Sequence, residues 1–458
     1  MTGLAALLPE GLAAAVEAAT GARIAAVRPR GGGGASREGA ELDLAWPDGR
    51  AASAYMNYDV HKAGAGDDAA FLREAAILRA LSGPLADAGV RVAPYQASVP
   101  EQRALVCGLV PGRDRFAAIA DPAQRDALAK DFMGQLAALH HIDVAASPVE
   151  GMGPIEPTET LVRHRIADLR KANSGRAWDP LIHLSLGWLE ANVPANMPPP
   201  VIVHGDAGPG NFLYDGDRVT ALLDWELVHY GDPMADLAML CLRMLFQDFV
   251  PLPRAFAAYR AAGGHRVDLA RVRYWRLLFQ TGFARRARYD DPDAPPPPNL
   301  GMNLVYSTIH RRVLSEALAE AAGVTLPPVA LPDAPSGAHD RSFALALDDL
   351  KEVIVPRVAD QQAAVKAKGL ARLIKWWRAI ERLEPDFHAV EKREIEAVLG
   401  LGFGGHAAAW KAFCDQVAGG SISAAPAIIL CNAHETREAA LMADAMGGLS
   451  ATKFAPLE

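Results

Sequence analysis

The chain has 458 residues, half of them apolar, and a formal net charge of −8. That length suits two or three domains with sizeable cores, and an acidic balance without a polybasic run argues against general nucleic-acid binding. Four scattered cysteines (Cys107, Cys241, Cys414, Cys431) with no C-x-x-C pair fit reduced, mostly buried thiols in a cytoplasmic protein, and no apolar run is long enough to span a bilayer.

Residues 4–20 read as an amphipathic helix. Pro9, Glu10 and Glu17 interrupt its apolar run and no basic leader precedes it, so it does not read as a signal peptide. A strand at 24–28 leads into Gly31-Gly32-Gly33-Gly34-Ala35-Ser36, and an alternating strand follows at 40–46. A Gly-rich turn between strands lets backbone N–H groups approach phosphates closely, and Ser36 could donate as well. No Gly-Lys-Ser/Thr follows, so it is not a Walker A loop. On the four glycines alone a flexible hairpin is the better reading.

A turn at Asp48-Gly49 precedes a strand at 51–58, AASAYMNY, which has no basic residue; Lys62 lies in the loop beyond. Helical spacing runs through 71–78, FLREAAIL, which contains Glu74. A short edge element at 89–97 and an apolar strand at 104–110 follow. Asp121-Pro122 then caps a helix to 142 that ends in Leu139-His140-His141. Two more helices are expected, at 158–171 with Arg163, Arg165, Arg170 and Lys171, and at 180–192. A basic helix is ordinarily a solvated face; lining a cleft, it would suit an anionic substrate.

The most informative stretch is 201–226, VIVHGDAGPGNFLYDGDRVTALLDWE. It reads as strand, loop, strand, turn, strand, with Asp206, Asn211 and Asp224 where strands meet loops. Each alone is an ordinary turn residue. Together they are the groups phosphoryl transfer needs: a carboxylate to orient and deprotonate a hydroxyl, and an amide oxygen and second carboxylate to hold Mg²⁺ on phosphates.

Helices follow at 233–247, 252–262, 269–288 and 302–322. Arg285, Arg286 and Arg288 suit the end of one of them, and a Pro-rich loop covers 290–299. The Pro-rich segment 325–339 reads as a linker. Beyond it, helical patterns at 343–365, 369–383, 391–399, 406–417 and 435–446 give an all-α domain at 340–458.

HGDAGPGN followed by LLDWE, with Gly231-Asp232-Pro233 and Asp236-Leu237-Ala238 downstream, resembles the aminoglycoside phosphotransferase and choline kinase-like enzymes, relatives of the protein kinases. The resemblance covers roughly the first seventy per cent of the chain. Its acyl-CoA-type branch, with a fused C-terminal helical domain, is the nearest whole architecture. It implies an α+β, two-lobed protein-kinase-like fold: an antiparallel N-lobe sheet with a helix at 1–112, a mostly helical C-lobe at 113–324, the linker, and the all-α domain.

It also implies Asp206 as the catalytic base, Asn211 and Asp224 as metal ligands, and His204 and Asp232 as supports of the catalytic loop. Gly32, Gly33, Gly34 and Ser36 become a nucleotide-covering loop, and Glu74 the helix carboxylate that orients a phosphate-binding cation. The family's strand carries that cation at 51–58. Here Lys62, Asn57 or another residue must replace it, or the chain is a pseudokinase acting as a binding or assembly module.

The implied reaction is transfer of the γ-phosphoryl group of ATP (or GTP), with Mg²⁺, to a small-molecule hydroxyl. A hydroxyacyl-CoA is the favoured acceptor, with Arg163 and Arg165 as anion contacts. Aminoglycoside, choline or homoserine are the alternatives. Neither nucleic acid nor membrane is expected as a partner, and the C-terminal domain is expected to pack on the kinase region or on a second subunit.

Overall fold

The computed structural model describes residues 7–30, 37–59, 68–174, 176, 178–284, 299–333 and 336–458. Contacts divide the chain into two compact units. The first comprises Met1–Val162, Ala195–Val272 and Ala455–Glu458; the second comprises Arg163–Pro194 and Arg273–Phe454.

The first unit opens with α1 (Leu12–Thr20). It is shorter than expected, because Pro9 and a left-handed Gly11 (φ 76°) precede it and neither continues a helix backwards. Strands β1 (Arg23–Arg30), β2 (Glu38–Ala45), β3 (Ala51–Tyr58), β4 (Tyr95–Val99) and β5 (Ala104–Gly108) form an antiparallel sheet in the order β1-β2-β3-β5-β4. Alternation along β2 explains its packing. Ala40, Leu42 and Leu44 point into a core with Leu12, Val16, Ala54, Met56 and Val106, while Glu41 and Asp43 pair outward with Arg28 and Arg30. Helix α2 (Asp68–Leu81) buries Phe71, Ala75, Ile77 and Leu78, and Glu74 with them.

Helix α3 (Pro122–His140) is capped as expected, Asp121 accepting from the Ala123 N–H at 2.9 Å. Helix α4 (Thr158–Ser174) runs into the second unit and is followed there by α5 (Pro180–Ala191). Back in the first unit, β6 (Val201–Val203), β7 (Phe212–Asp215) and β8 (Arg218–Leu222) reproduce the expected strand order. β7 pairs with β8. β6 pairs with β9 (His229–Gly231), a strand too short to show in the sequence pattern. Phe116, Phe132, Phe212 and Phe249 pack beneath the hairpin with ring centroids 4.7–6.1 Å apart. Helices α6 (Met234–Arg243) and α7 (Leu252–Ala261) complete this unit.

Helix α8 (Leu269–Phe283) crosses into the second unit, where α9 (Leu300–Ala322), α10 (Asp340–Asp348), α11 (Gln361–Leu399), α12 (His406–Ala418) and α13 (Ala424–Met446) follow. Arg285, Arg286 and Arg288 lie outside the described residues. The α+β class is as expected: one antiparallel sheet with its helix, then helices and short hairpins. The C-terminal helices differ in detail. The pattern at 343–365 is broken after Asp348 by a π-turn and a 3₁₀ turn through Arg357. The patterns at 369–383 and 391–399 are one 39-residue helix that runs through Pro385. Proline removes one backbone hydrogen bond, but α11 packs along α9, α12 and α13 and buries Ile374, Phe387, Glu391 and Ile395. That burial outweighs the lost bond.

Burial within this unit includes charge. The Arg311 guanidinium on α9 lies 2.6 Å from Glu435 on α13 and 2.8 Å from Asp179 at the start of α5, all nearly enclosed. Replacing Arg311 with Met should strand two carboxylates in the interior and lower stability by roughly 3–5 kcal/mol, measured by chemical unfolding of the full chain. A loss below 1 kcal/mol would mean the pair is incidental.

Candidate active site

Strand β6 ends in His204-Gly205-Asp206, and this turn is held from beneath by Asp236 in the first turn of α6. The Asp236 carboxylate is fully buried. It accepts from the backbone N–H groups of His204 and Gly205, both at 2.8 Å, and contacts His140 Nε2 at 3.0 Å. His140 Nδ1 in turn meets the Tyr259 hydroxyl at 2.7 Å. Burial alone would raise the Asp236 pKa, but the His140 contact and the backbone donors outweigh it and hold the carboxyl below its usual range. Gly205 is required here. Its φ is 86°, and a Cβ would stand 2.2 Å from the Leu227 carbonyl oxygen.

His204 packs within the same turn. Its Nδ1 accepts from the Asp206 N–H at 3.3 Å, and its ring packs 4.4 Å from Trp225. Burial lowers its pKa, so the imidazole stays neutral. Asp232 sits one step away from the loop. Its Oδ1 accepts from the Met234 N–H at the start of α6, and Oδ2 lies 3.3 Å from Arg271.

Asn211 Nδ2 donates to Asp206 Oδ2 at 2.7 Å and to the Asp206 carbonyl at 2.9 Å. Arg243, the last residue of α6, bridges the pair: Nη1 donates to Asp206 Oδ2 at 2.8 Å and Nη2 to Asn211 Oδ1 at 3.1 Å. The Leu223 N–H donates to the Asn211 carbonyl at 2.9 Å, which sets Asp224 beside Asn211. Asp224 adopts φ 62°, a left-handed conformation that Asp tolerates better than most residues. Burial pushes the Asp206 pKa up against the opposing influence of Arg243 and Asn211. Burial, then the charge of Asp206, pushes up Asp224. A buried carboxylate whose protonation is raised by a second one nearby makes a place for a cation. Asn211 Oδ1 and the Asp224 carboxylate are the hard oxygen donors Mg²⁺ takes when phosphates complete its shell, so these residues fit the metal.

Asn211 and Asp224 line a cavity of about 570 Å³ with Arg37, Asn57, Glu74, Cys107 and Glu226. Glu74 is bound there by Arg37, Nη1 to Oε2 at 2.6 Å. Burial raises the Glu74 pKa and Arg37 opposes the rise. Gly32, Gly33, Gly34, Ser36 and Lys62 lie outside the described residues. Arg163 and Arg165 belong to the second unit; Arg163 is exposed and Arg165 stands over the Phe279 ring at 5.8 Å. Sequence reasoning missed Arg37, Arg243 and the bracing role of Asp236. Asp236 was visible inside the G-D-P-x-x-D-L-A pattern, and Arg37 directly follows the glycine run. Nothing local marks Arg243.

Residues 60–275 match the phosphotransferase enzyme family, which spans the catalytic loop, Asp224 and α6. The match is to this stretch of the chain, a little under half of its length. It is 26% identical over 144 residues to acyl-CoA dehydrogenase family member 10 of Mus musculus, a match covering 30% of this chain and 13% of that protein. It is 30% identical over 135 residues to acyl-CoA dehydrogenase family member 11 of Pongo abelii, covering 29% and 17%. The matched part thus spans less than a fifth of either relative. Among solved structures, a putative aminoglycoside phosphotransferase of Ralstonia eutropha aligns with a TM-score of 0.49 at 21% identity, over 65% of this chain and 92% of that one.

The Asp236 brace can be tested without a substrate. Asp236→Ala leaves two buried backbone donors and His140 without their acceptor, and should cost on the order of 3 kcal/mol. Amide exchange at His204 and Gly205 should accelerate more than in the strands of the N-terminal sheet. Equal acceleration everywhere would argue against a local brace.

Proposed function

We propose that this phosphotransferase-family domain moves the γ-phosphoryl group of ATP to a small-molecule hydroxyl. The observation that carries the reading is the arrangement of Asp206, Asn211 and Asp224: Asn211 donates to Asp206 and accepts at its carbonyl from Leu223, the neighbour of Asp224, and Asn211 and Asp224 line a cleft that also holds the Arg37–Glu74 pair. Asp206 orients the acceptor hydroxyl and takes its proton as the oxygen attacks. Arg243 favours the ionised form of Asp206 and so keeps the base ready. Asn211 and Asp224 would hold Mg²⁺, which neutralises charge on the phosphates when bound.

The acceptor we favour is a hydroxyacyl-CoA or a similar hydroxylated anion. Two relatives named as acyl-CoA dehydrogenase family members support this reading. Resistance to an aminoglycoside on expression of the chain would count against this acceptor class.

Wild type should be stabilised against heat by ATP with Mg²⁺, since a ligand that binds the folded state raises the midpoint. Asp224→Ala should lose the Mg²⁺-dependent part. Asp206→Asn should keep nucleotide binding while turnover falls about 10²–10⁴-fold. Retained turnover in Asp206→Asn would remove Asp206 as the base.

The pH profile gives an independent check. A base must be deprotonated to act, so kcat/KM should rise with pH through the Asp206 pKa, at a value above the ordinary carboxylate range near 4. Arg243 lowers that pKa. Arg243→Met should therefore move the rising limb to higher pH, and a shift to lower pH would contradict the arrangement.

A further inference from the structure

Strand β3 lacks the basic residue with which kinase-like folds clamp the α- and β-phosphates, yet the carboxylate that would orient it is present and buried. Glu74 is 3% exposed. A carboxylate at such depth needs a cation, and its partner is Arg37 at 2.6 Å, itself only 11% exposed at the side chain. We propose that Arg37, at the exit of the glycine-rich segment and just before β2, is the phosphate-binding cation of this enzyme, taking over the role of the strand lysine. This inference rests on the kinase reading above and names the residue that completes its nucleotide site.

The register explains how the exchange works. β2 and β3 pair Glu38 with Tyr58 and Gly39 with Asn57. Arg37 therefore leaves the sheet at the same end as the last residues of β3, and both Arg37 and Asn57 line the cleft that holds Asn211 and Asp224. Asn57 carries no charge, and its Oδ1 is buried without a hydrogen-bond partner among the described residues. Arg30, the other described cation on this cleft, is largely exposed and tied to Glu41 at 2.5 Å. Among the described residues Arg37 meets Glu74 through Nη1, and its Nη2 stands 3.8 Å from Glu226, beyond hydrogen-bond range. A guanidinium has five donors in a planar fork. It can keep Glu74 on one side and offer the rest to phosphate oxygens, which a lysine ammonium does only as a point charge.

A role at phosphate and a role merely as a strut for α2 predict different binding patterns. The full-length chain and its Arg37→Met and Arg37→Lys variants would be titrated with Mg-ATP and, separately, with adenosine, which has the base and sugar but no phosphate. Binding is read directly and by thermal shift. Arg37→Met should weaken Mg-ATP at least tenfold and leave adenosine within about twofold, and Arg37→Lys should recover part of the loss, since it restores the charge without the fork. The proposal is overturned if Arg37→Met binds Mg-ATP like wild type, or if it loses Mg-ATP and adenosine alike without rescue by Lys. Asp224→Ala, titrated alongside, separates the two levels of argument. Loss of the Mg²⁺-dependent shift in Asp224→Ala with none in Arg37→Met leaves the kinase reading standing and removes Arg37. No response of wild type to Mg-ATP removes both.

Discussion

The candidate site depends on a carboxylate that does no chemistry. The turn His204-Gly205-Asp206 presents consecutive backbone donors at a place closed to water, and buried donors without acceptors are costly. Asp236 accepts from two of them, and His140 faces the remaining side of its carboxylate. With that brace in place, Gly205 can hold its left-handed turn against the Leu227 carbonyl. Asp206 then projects toward Asn211 while Asp224 arrives from the adjoining strand. The candidate groups are positioned by α6 and α3, neither of which lines the cleft among the described residues.

Electrostatics accounts for the remaining design. Asp206, Asp224, Glu74 and Glu226 are gathered at or beside one cleft, and burial makes each ionised carboxylate dearer. Two arginines answer them. Arg243 spans Asp206 and Asn211, and Arg37 holds Glu74. Both cations come from outside the segments where a family pattern would look, one from the last turn of a helix and one from the edge of the glycine run. A change in the identity of a cation is tolerable if its charge and reach are kept, because phosphate oxygens accept from any donor that arrives at the right distance.

The second unit follows a separate logic of helix on helix. Its 39-residue α11 crosses a proline because the neighbouring helices repay the missing bond through burial. Arg311 places an ion pair inside the same packing. The boundary expected at the Pro-rich segment is a feature of composition, whereas contacts group α9 with α11 and α13, since an apolar helix face packs wherever a complementary one is available.

The sequence by itself determined the α+β class, the strand order over 201–226, and the choice of Asp206, Asn211 and Asp224 as the candidate site. These are local matters: alternation, turn residues and ordered spacing are written in consecutive positions. It also showed that β3 lacks a basic residue, a plain reading of AASAYMNY. The residue we propose in its place comes into view only in three dimensions. Arg37 and Glu74 are 37 positions apart, and it takes the β2–β3 register and the packing of α2 to bring them together. The same holds for Asp236 beneath His204 and for Arg243 across Asp206. A periodic pattern records which face of an element is buried; which charge meets which across the core depends on how the elements pack, and no local spacing encodes it.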